Sequence, residues 1–289
     1  MIDGWDEYHL INNELANLVK DLPRTDLGEV IDYVLSAPGK RVRPLILIFS
    51  SMAFESSSEK AMNAALAIEL VHAASLVHDD ILDQGIERRG SPSTFERYGQ
   101  EAALLSGDYL ISKSIELIST YSQPVIRCFA RGCMDMSEGE MLDLSISCSP
   151  DEYYHCISKK TASLFAASAK IGCIIGGASE DDVARFENYG TQLGLAYQIL
   201  DDLEEYLGID QGKASKKASV TLPRIYSEQY SEETALQICI KHINEHCIAA
   251  KKALSGTSGD IKMITCLEEI IDQMTSRGLK RCRLLRNLC

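Results

Sequence analysis

The 289-residue sequence lacks several features that would assign it to other classes of protein. It has no excess of basic residues: its formal net charge is −13, which argues against a nucleic-acid-binding protein. Its ten cysteines form no CxxC motif and lie mostly within apolar stretches. We therefore predict buried free thiols in a reducing compartment rather than a disulfide framework.

Signals for export and for membrane insertion are also lacking. The N-terminal stretch MIDGWDEYHL has neither the basic region nor the apolar core of a signal peptide. The longest apolar runs, such as PLILIF and IGCIIGGA, are much shorter than the ~20 residues that a membrane helix needs. No residue follows Cys289, so the chain end does not form a prenylation box. We expect a cytosolic protein with no transmembrane segment.

Alternation of apolar and polar residues, the pattern of strands, is nearly absent, and helical periodicity dominates. The seven prolines lie at the boundaries of the helical segments. The polar, lysine-rich stretch GIDQGKASKKAS (208–219) is the one loose segment, and no repeat or long linker divides the chain. We predict a single all-α domain, 1–289, with helices at 6–22, 25–37, 43–55, 58–85, 99–120, 123–146, 151–176, 181–208, 231–254 and 259–287.

Two acidic clusters, in LVHDDILD and YQILDDLEEYLG, share the spacing i, i+1, i+4. On a helix this spacing gathers the side chains on a face about 100° wide. An apolar turn precedes each cluster, so each is predicted to project from a largely buried helix, where crowded carboxylates need protons or cations. Hard oxygen donors suit Mg²⁺, which commonly bridges to phosphates. The alternative, two solvated helix faces, leaves the matched spacing unexplained. The acids are Asp79, Asp80 and Asp83, then Asp201, Asp202 and Glu205.

Cationic residues accompany both clusters, and arginine and lysine are the usual phosphate ligands. They are Lys40, Arg41 and Arg43 in GKRVRP, Arg88 and Arg89 after a glycine, Lys159 and Lys160 beside Thr161, and Lys213. His72 precedes Asp79 by seven residues, so it shares that helix face and could donate a hydrogen bond. A satisfied core histidine is the alternative. The pattern predicts metal ions that hold a diphosphate, with an apolar interior for its greasy tail.

The segments GKRVRP, ELVHAASLVHDDILD, RRG, KTA, YQILDD and TLP follow one another in an order typical of one family. Over about residues 35–225 the chain resembles the trans-polyprenyl diphosphate synthases. The resemblance implies an all-α isoprenoid synthase helical bundle around a deep central cavity, and a homodimer. It also implies a Mg²⁺-dependent, head-to-tail condensation of isopentenyl diphosphate with an allylic diphosphate, in trans, to a geranylgeranyl or longer product.

The resemblance assigns a role to each motif residue. It implies three Mg²⁺ ions per active site, with Asp79, Asp83 and Asp201 as direct ligands. Asp80 would support these ligands. Asp202 and Glu205 would act largely through metal-bound water. The implied contacts of the allylic diphosphate are Arg88, Lys160, Thr161, Gln198 and Lys213. Those of isopentenyl diphosphate are Lys40, Arg43, His72 and Arg89.

Product length depends, in the family, on the fourth and fifth positions before the first acidic motif. These positions are Ser75 and Ala74, both small, which predicts a long product. Two departures from the family pattern are visible. Glu205 stands where many members have a third aspartate, and the loop from Gly212 to Thr221 is short and lacks a second Gly-Lys pair.

Several alternatives remain open from the sequence. A terpene cyclase of the same fold would leave unexplained the residues implied to bind isopentenyl diphosphate. A farnesyl diphosphate synthase would differ only in product length. A noncatalytic partner subunit need not keep both acidic clusters. The pair His78–Asp79 could belong to a metal phosphohydrolase, which needs further histidines. His242 and His246 have metal-like spacing but are predicted to lie on a solvated face.

Overall fold

The computed structural model describes residues 2–144, 149–209, 213–214 and 220–286, and it leaves out the side chains of 213, 214 and 283–286. Within these residues the chain forms thirteen α-helices, a 3₁₀ turn (Ile2–Gly4) and a π-helical turn (Ser158–Ala162). The helices are α1 (Asp6–Lys20), α2 (Asp26–Leu35), α3 (Val42–Met52), α4 (Ser58–Leu82), α5 (Thr94–Tyr98), α6 (Gln100–Ile118), α7 (Gln123–Asp143), α8 (Pro150–Ile157), α9 (Ser163–Gly176), α10 (Glu180–Tyr206), α11 (Leu222–Ser227), α12 (Glu232–Leu254) and α13 (Ile261–Arg286).

The predicted all-α class is confirmed, with one small sheet in addition. Three strands of two residues each, β1 (Glu87–Arg88), β2 (Ser91–Pro92) and β3 (Lys213–Ala214), pair in the order β2-β1-β3, antiparallel throughout. Two residues are too few to leave an alternating pattern in a sequence, which is why the sheet was not predicted. Its central strand β1 carries Arg88.

Side chains at helix N-termini explain where several helices begin. In each case a serine or threonine before the first turn accepts a hydrogen bond from a backbone N–H two or three residues into the helix. These caps are Thr25 before α2, Ser93 before α5, Ser149 before α8, Ser179 before α10 and Ser231 before α12.

The helix α4 is apolar on nearly all sides, which is typical of a helix enclosed by others. Its buried residues include Leu66, Ile68, Leu70, Ala74 and Val77. In the part of the chain that the structure describes, it is the one helix that is long and apolar enough to cross a membrane, and 67% of its apolar window is buried. A core helix of this length passes the same test. The absence of a transmembrane segment therefore stays a prediction.

The described residues group into two compact units, each built from separate stretches of the chain. The first unit draws on Met1–Leu45, Met62–Ser122 and Gln211–Ala218, and the second on Ile46–Ala61, Gln123–Asp210 and Ser219–Cys289. Two of the boundaries fall inside the helices α3 and α4. The prediction of a single domain, 1–289, remains a prediction.

The second unit contains a large apolar cluster supplied by α8 and α10 to α13. Its members include Tyr153, Ile199, Leu203, Leu222 and Cys239. All eight cysteines that the structure describes are free thiols, as predicted, and each is buried or half-buried. Burial raises the pKa of the Cys239 thiol to about 12, so it stays protonated at neutral pH.

Candidate active site

Both acidic clusters lie at the C-terminal end of a long helix, where α4 ends at Leu82 and α10 ends at Tyr206. The acids are Asp79, Asp80 and Asp83 in the first cluster, and Asp201, Asp202 and Glu205 in the second. The backbone carbonyls of such an end carry partial negative charge, so a further anion there is unfavourable by about 0.3–1 kcal/mol. Bound cations would relieve both this penalty and the repulsion among the acids.

In the first unit, Asp80 is held by Arg88 through two hydrogen bonds. Nε and Nη2 of Arg88 each donate to one carboxylate oxygen of Asp80, both at 2.8 Å. Burial alone would lower the pKa of Arg88, but the bonds to Asp80 and the charges of Asp79 and Asp83 outweigh burial and raise it. Asp80 is buried, whereas Asp79 and Asp83 are half-buried. This arrangement suits the supporting role that the sequence predicts for Asp80.

The turn after α4 is shaped closely around Asp80. The backbone N–H of Gly85 donates to the carbonyl of Asp80 at 2.8 Å. A Cβ atom at Gly85 would lie 2.5 Å from Oδ1 of Asp80, so only glycine leaves the carboxylate in place. Gln84 and Arg89 adopt positive φ angles of 52° and 55°. Such backbone strain is concentrated at functional sites in proteins.

Two of the residues predicted to bind isopentenyl diphosphate, Arg43 and His72, lie in contact. Nη1 of Arg43 lies 3.0 Å from Nε2 of His72, and because a guanidinium only donates, Nε2 must accept. Burial of the ring, followed by the charges of Arg43, Arg89, Arg88 and Arg41, holds the pKa of His72 well below its ordinary value. The imidazole is therefore neutral, and its one N–H is on Nδ1.

The other two members of this group are more exposed. Nη1 of Arg89 donates to the carbonyl of Pro38 at 2.6 Å, which ties the RRG segment to the loop before α3. Lys40, in that same loop, has an exposed side chain. Gly39 lies between Pro38 and Lys40 in this loop. A Cβ at Gly39 would lie 3.1 Å from Nη1 of Arg89.

Arg41, from the same GKRVRP segment, is bound by the protein itself. Its guanidinium donates to Oε1 of Glu69 at 2.7 Å, to Oδ1 of Asn12 at 3.1 Å and to the carbonyl of Ala37 at 3.0 Å. Both side chains of the Arg41–Glu69 ion pair are less than a tenth exposed. Arg41 also has a positive φ of 52°. Its contacts position the loop that presents Lys40 and Arg43.

A pocket of about 230 Å³ lies within the first unit. Its polar lining includes Asp80 of the first acidic cluster, Arg88, which is assigned to the allylic diphosphate, and His72 and Arg89, which are assigned to isopentenyl diphosphate. Glu69 also lines it. Tyr33, Leu76 and Val77 contribute apolar surface. The structure therefore gathers, inside one unit, side chains that the sequence assigned to two separate tasks.

In the second unit, Lys160 lies on the π-helical turn. Its Nζ contacts Oε2 of Glu140 and Oδ2 of Asp143, both at 2.6 Å. A Cβ at Gly139 would lie 2.1 Å from the backbone N of Lys160, so α7 can approach this turn only at a glycine. Single π-helical turns inside helices are frequent at functional sites.

Thr161, Gln198, Asp202 and Tyr153 form a chain of hydrogen bonds in the second unit. The Thr161 hydroxyl donates to Oε1 of Gln198 at 2.6 Å, and Nε2 of Gln198 donates to Oδ1 of Asp202 at 2.8 Å. The Tyr153 hydroxyl donates to Oδ2 of Asp202 at 2.6 Å. Burial raises the pKa of Asp202 to about 7, although these bonds act in the opposite direction. These hydrogen bonds connect Asp202, a predicted Mg²⁺ ligand through water, to Thr161 and Gln198, which are predicted to contact the allylic diphosphate.

Lys213 follows the second acidic cluster in the sequence, but its backbone pairs with the first unit. It is in β3, where it is the partner of Arg88 on β1. The side chain of Lys213 lies outside the description, as do 210–212 and 215–219 of the loose segment. The predicted contact of Lys213 with an allylic diphosphate stays a prediction.

The two predicted chain-length positions differ in their surroundings. Ala74 is fully buried, and Ser75 is half-buried, with its hydroxyl donating to the carbonyl of His72 at 2.9 Å. The small side chain at Ala74 is thus enclosed by its neighbours, whereas Ser75 retains exposed surface.

The remaining histidines are occupied by other partners. The prediction that His242 and His246 lie on a solvated face is wrong, because both are half-buried. Nδ1 of His242 lies 2.6 Å from the Tyr154 hydroxyl, and Nδ1 of His246 lies 2.7 Å from Oε1 of Gln192. Burial lowers the pKa of His246. His78 faces α6, with Nε2 3.4 Å from the carbonyl of Leu104, which does not support a phosphohydrolase site.

Comparison with known proteins identifies the family. A family model described as polyprenyl synthetase matches residues 24–256. The chain belongs to the polyprenyl synthetase family. A geranylfarnesyl diphosphate synthase from Methanosarcina mazei is 46% identical over 256 residues, which cover 88% of this chain and 87% of that protein. A geranylgeranyl diphosphate synthase from Sulfolobus acidocaldarius is 34% identical, covering 86% and 83%.

Solved structures of the family have the same fold. The crystal structure of a geranyltranstransferase from Methanosarcina mazei matches with a TM-score of 0.85 and 42% identity, covering 96% of this chain and all (100%) of that chain. The predicted resemblance and the isoprenoid synthase helical fold are thereby confirmed.

The acids of this polyprenyl synthetase chain fit a metal that takes few protein ligands. Among the described residues, no three His, Cys, Asp or Glu side chains converge closely enough to hold a metal ion by themselves. Mg²⁺ is usually held by one or two carboxylates, waters and substrate phosphates rather than by a protein cage. The half-buried Asp79, Asp83, Asp201 and Glu205 offer carboxylate oxygens of this kind.

Sequence reasoning missed three residues of the site: Glu69, Glu140 and Tyr153. Glu69 is the one acid in the apolar stretch AALAIELVHAASL, and a lone acid there is a signal of a buried partner. Glu140 contacts Lys160 but lies outside the motifs that carry the family resemblance. Nothing in the sequence separates Tyr153 from its neighbour Tyr154.

Replacing Glu69 should test whether the Arg41–Glu69 ion pair stabilises the loop before α3. Glu69→Ala leaves the Arg41 guanidinium buried without its carboxylate, and we expect a loss of about 3–5 kcal/mol in the free energy of unfolding. Urea unfolding followed by circular dichroism measures this loss. Glu69→Gln keeps a hydrogen-bond acceptor and should lose less. An unchanged unfolding midpoint in Glu69→Ala would contradict the role of this ion pair.

The neutral state of His72 predicts a pH dependence. The folded protein resists protonation of His72, whereas the unfolded chain takes up the proton below about pH 6.5. Stability is therefore lost as the pH falls from about 6.5 towards 5, by up to about 1.4 kcal/mol per pH unit. In His72→Gln, where the amide oxygen can accept from Arg43, unfolding free energies should fall less steeply. Equal slopes in both proteins would count against a depressed pKa.

Proposed function

We propose that this protein condenses isopentenyl diphosphate with an allylic diphosphate, head-to-tail and in trans, to a geranylgeranyl or longer polyprenyl diphosphate. One observation carries the proposal. The first unit combines the cluster of Asp79, Asp80 and Asp83 with a second cationic group built on Arg43 and His72. A diphosphate-ionising enzyme with one substrate has no use for that second group. The names of the two sequence relatives agree with this activity.

The proposed metal is Mg²⁺, three ions per active site by family resemblance. Asp79, Asp83 and Asp201 would hold it directly, with Asp202 and Glu205 acting largely through water. When bound, Mg²⁺ stabilises the negative charge that builds on the departing diphosphate. Asp80, both of whose oxygens accept from Arg88, would keep the first cluster in position.

The allylic diphosphate would be bound by Arg88, Lys160, Thr161, Gln198 and Lys213. Lys160 would exchange its contacts with Glu140 and Asp143 for phosphate oxygens. Gln198 has a second N–H beside the one it gives to Asp202. These cations stabilise the leaving group as the allylic C–O bond breaks and an allylic carbocation forms.

Isopentenyl diphosphate would be held by Lys40, Arg43, His72 and Arg89. Neutral His72 would contribute through Nδ1–H, because Nε2 accepts from Arg43. With its diphosphate fixed, the double bond is held in register to attack the carbocation, and a carbon–carbon bond forms. The proton then lost passes to the released diphosphate, since none of the described residues is arranged as a dedicated base. An apolar, water-excluding surround protects the cation.

We also infer a homodimer in a reducing, cytosolic compartment. The dimer follows from family resemblance and is supported by large apolar side chains exposed on α6: Leu104, Leu105 and Ile115, which are 47%, 56% and 55% exposed. The compartment is supported by the eight free thiols.

Incubation with Mg²⁺, radiolabelled isopentenyl diphosphate and a set of allylic starters tests the activity. We expect label in a prenyl diphosphate of 20 or more carbons, resolved by chromatography after dephosphorylation. Label that stops at farnesyl diphosphate would indicate a shorter-chain synthase. A cyclic hydrocarbon formed from the starter without consumption of isopentenyl diphosphate would indicate a terpene cyclase.

Loss of one acid from the first cluster should nearly abolish condensation. Asp83→Ala removes a proposed metal ligand, so we expect the barrier to rise by at least about 3 kcal/mol. The rate should therefore fall more than a hundredfold. Steady-state assays at saturating Mg²⁺ measure this rate, with exposed Asp108→Ala as the control. Near-normal turnover of a folded Asp83→Ala protein would defeat the assignment.

Bulky rings at the chain-length positions should shorten the product. In Ser75→Phe, the half-buried site can admit a ring that narrows the path of the growing tail, so the products should shift towards farnesyl diphosphate. Ala74→Phe should shift them in the same direction, but overpacking at this fully buried site should also cost about 1–3 kcal/mol of stability. If both folded variants make the wild-type product at comparable rates, the tail does not pass this turn.

A further inference from the structure

The C-terminal end of α10, its last six residues, carries more negative charge than its position favours. Asp201, Asp202, Glu204 and Glu205 all lie within six residues of the helix end at Tyr206, against the negative pole of the helix. Glu204 is paired with Arg281 of α13. Helix ends fray readily, and repulsion among neighbouring acids favours that fraying. Contacts with other elements hold this end in place.

Asp202 is the acid that connects this end of α10 to α8. It is 7% exposed and accepts from Nε2 of Gln198, one turn earlier in the same helix, and from the hydroxyl of Tyr153. The bond from Gln198 is internal to α10 and cannot fix the helix against other elements. The 2.6 Å bond from Tyr153, on α8, can do so.

Tyr153 is itself rigidly placed. Its ring is 1% exposed and belongs to the apolar cluster that includes Ile199 and Leu203 of α10. Burial, followed by the charge of Asp202, raises the pKa of the Tyr153 hydroxyl well above its ordinary value, so the hydroxyl keeps its proton and donates. The π-helical turn that follows α8 adds a second link, because Thr161 on it donates to Gln198.

We propose that Tyr153 is a positioning residue: by holding Asp202, its hydroxyl fixes the C-terminal end of α10 so that Asp201 can bind Mg²⁺ directly and Glu205 can act through metal-bound water. This inference rests on the proposed function, because it presumes that the second acidic cluster binds the metal. Hydrogen-bond partners that orient metal ligands typically change metal affinity 10- to 100-fold when they are lost.

A matched pair of variants tests the proposal. Tyr153→Phe and Tyr154→Phe each remove one hydroxyl from α8, but the Tyr154 hydroxyl contacts His242 instead of an acid. Mg²⁺ is titrated into each protein with saturating inorganic diphosphate and followed by calorimetry. We expect the half-saturating Mg²⁺ concentration to rise at least about 10-fold in Tyr153→Phe and to stay at the wild-type value in Tyr154→Phe.

Melting temperatures without metal separate positioning from general support of the fold. If Tyr153→Phe melts earlier but binds Mg²⁺ like the wild type, the residue is only structural and the proposal is overturned. It is equally overturned if both variants shift Mg²⁺ binding by the same factor.

A double variant checks the route through Asp202. If Tyr153 acts through Asp202, adding Tyr153→Phe to Asp202→Ala should change Mg²⁺ binding no further. An additional weakening in the double variant would mean that Tyr153 acts by another route, against the proposal. Wild-type Mg²⁺ affinity in Asp202→Ala would overturn the proposal, and this outcome can be read even if Tyr153→Phe does not fold. The proposed function fails separately, if the wild-type protein does not consume isopentenyl diphosphate with Mg²⁺.

Discussion

The end of α4 carries three carboxylates, and the end of α10 carries four. Within each end, the carboxylates repel one another and are repelled by the negative pole of the helix. Each helix end is stable only if this charge is balanced or held. The described contacts supply part of the balance: Arg88 binds Asp80, and Arg281 binds Glu204. Under the proposed function, bound cations would relieve the repulsion at each helix end, which would strengthen the binding of metal and diphosphate.

The middle acid of each cluster is treated alike in the two units. Asp80 and Asp202 are buried, and each has both of its oxygens bound by protein donors. The flanking acids are half-buried. One aspartate in each cluster therefore anchors the helix end, while its neighbours remain placed for ligands. The anchors differ in kind: a guanidinium balances the charge of Asp80, whereas Asp202 has neutral donors and burial raises its pKa to about 7.

The cations divide in the same manner between support and binding. Arg41 and Arg43 are two residues apart, yet Arg41 is consumed by Glu69 and Asn12, whereas Arg43 contacts neutral His72. The paired guanidinium of Arg41 holds the loop rigid, whereas the role proposed for Arg43 is to bind an anion. The cost of a positive φ at Arg41 is accepted where it sets the direction of this loop.

The sequence by itself determined the all-α class, the two acidic clusters and the family, because helical period and motif spacing are local properties of the chain. It could not determine which partner each charged or polar side chain would take. Arg41 and Glu69 are 28 residues apart, and Tyr153 and Asp202 are 49 apart. Such pairings depend on how distant segments pack, and a hydrogen bond forms only when two atoms come within about 3 Å. Tertiary structure alone decided that Arg41 supports a loop, that Tyr153 rather than Tyr154 contacts Asp202, and that His242 and His246 are half-buried beside Tyr154 and Gln192.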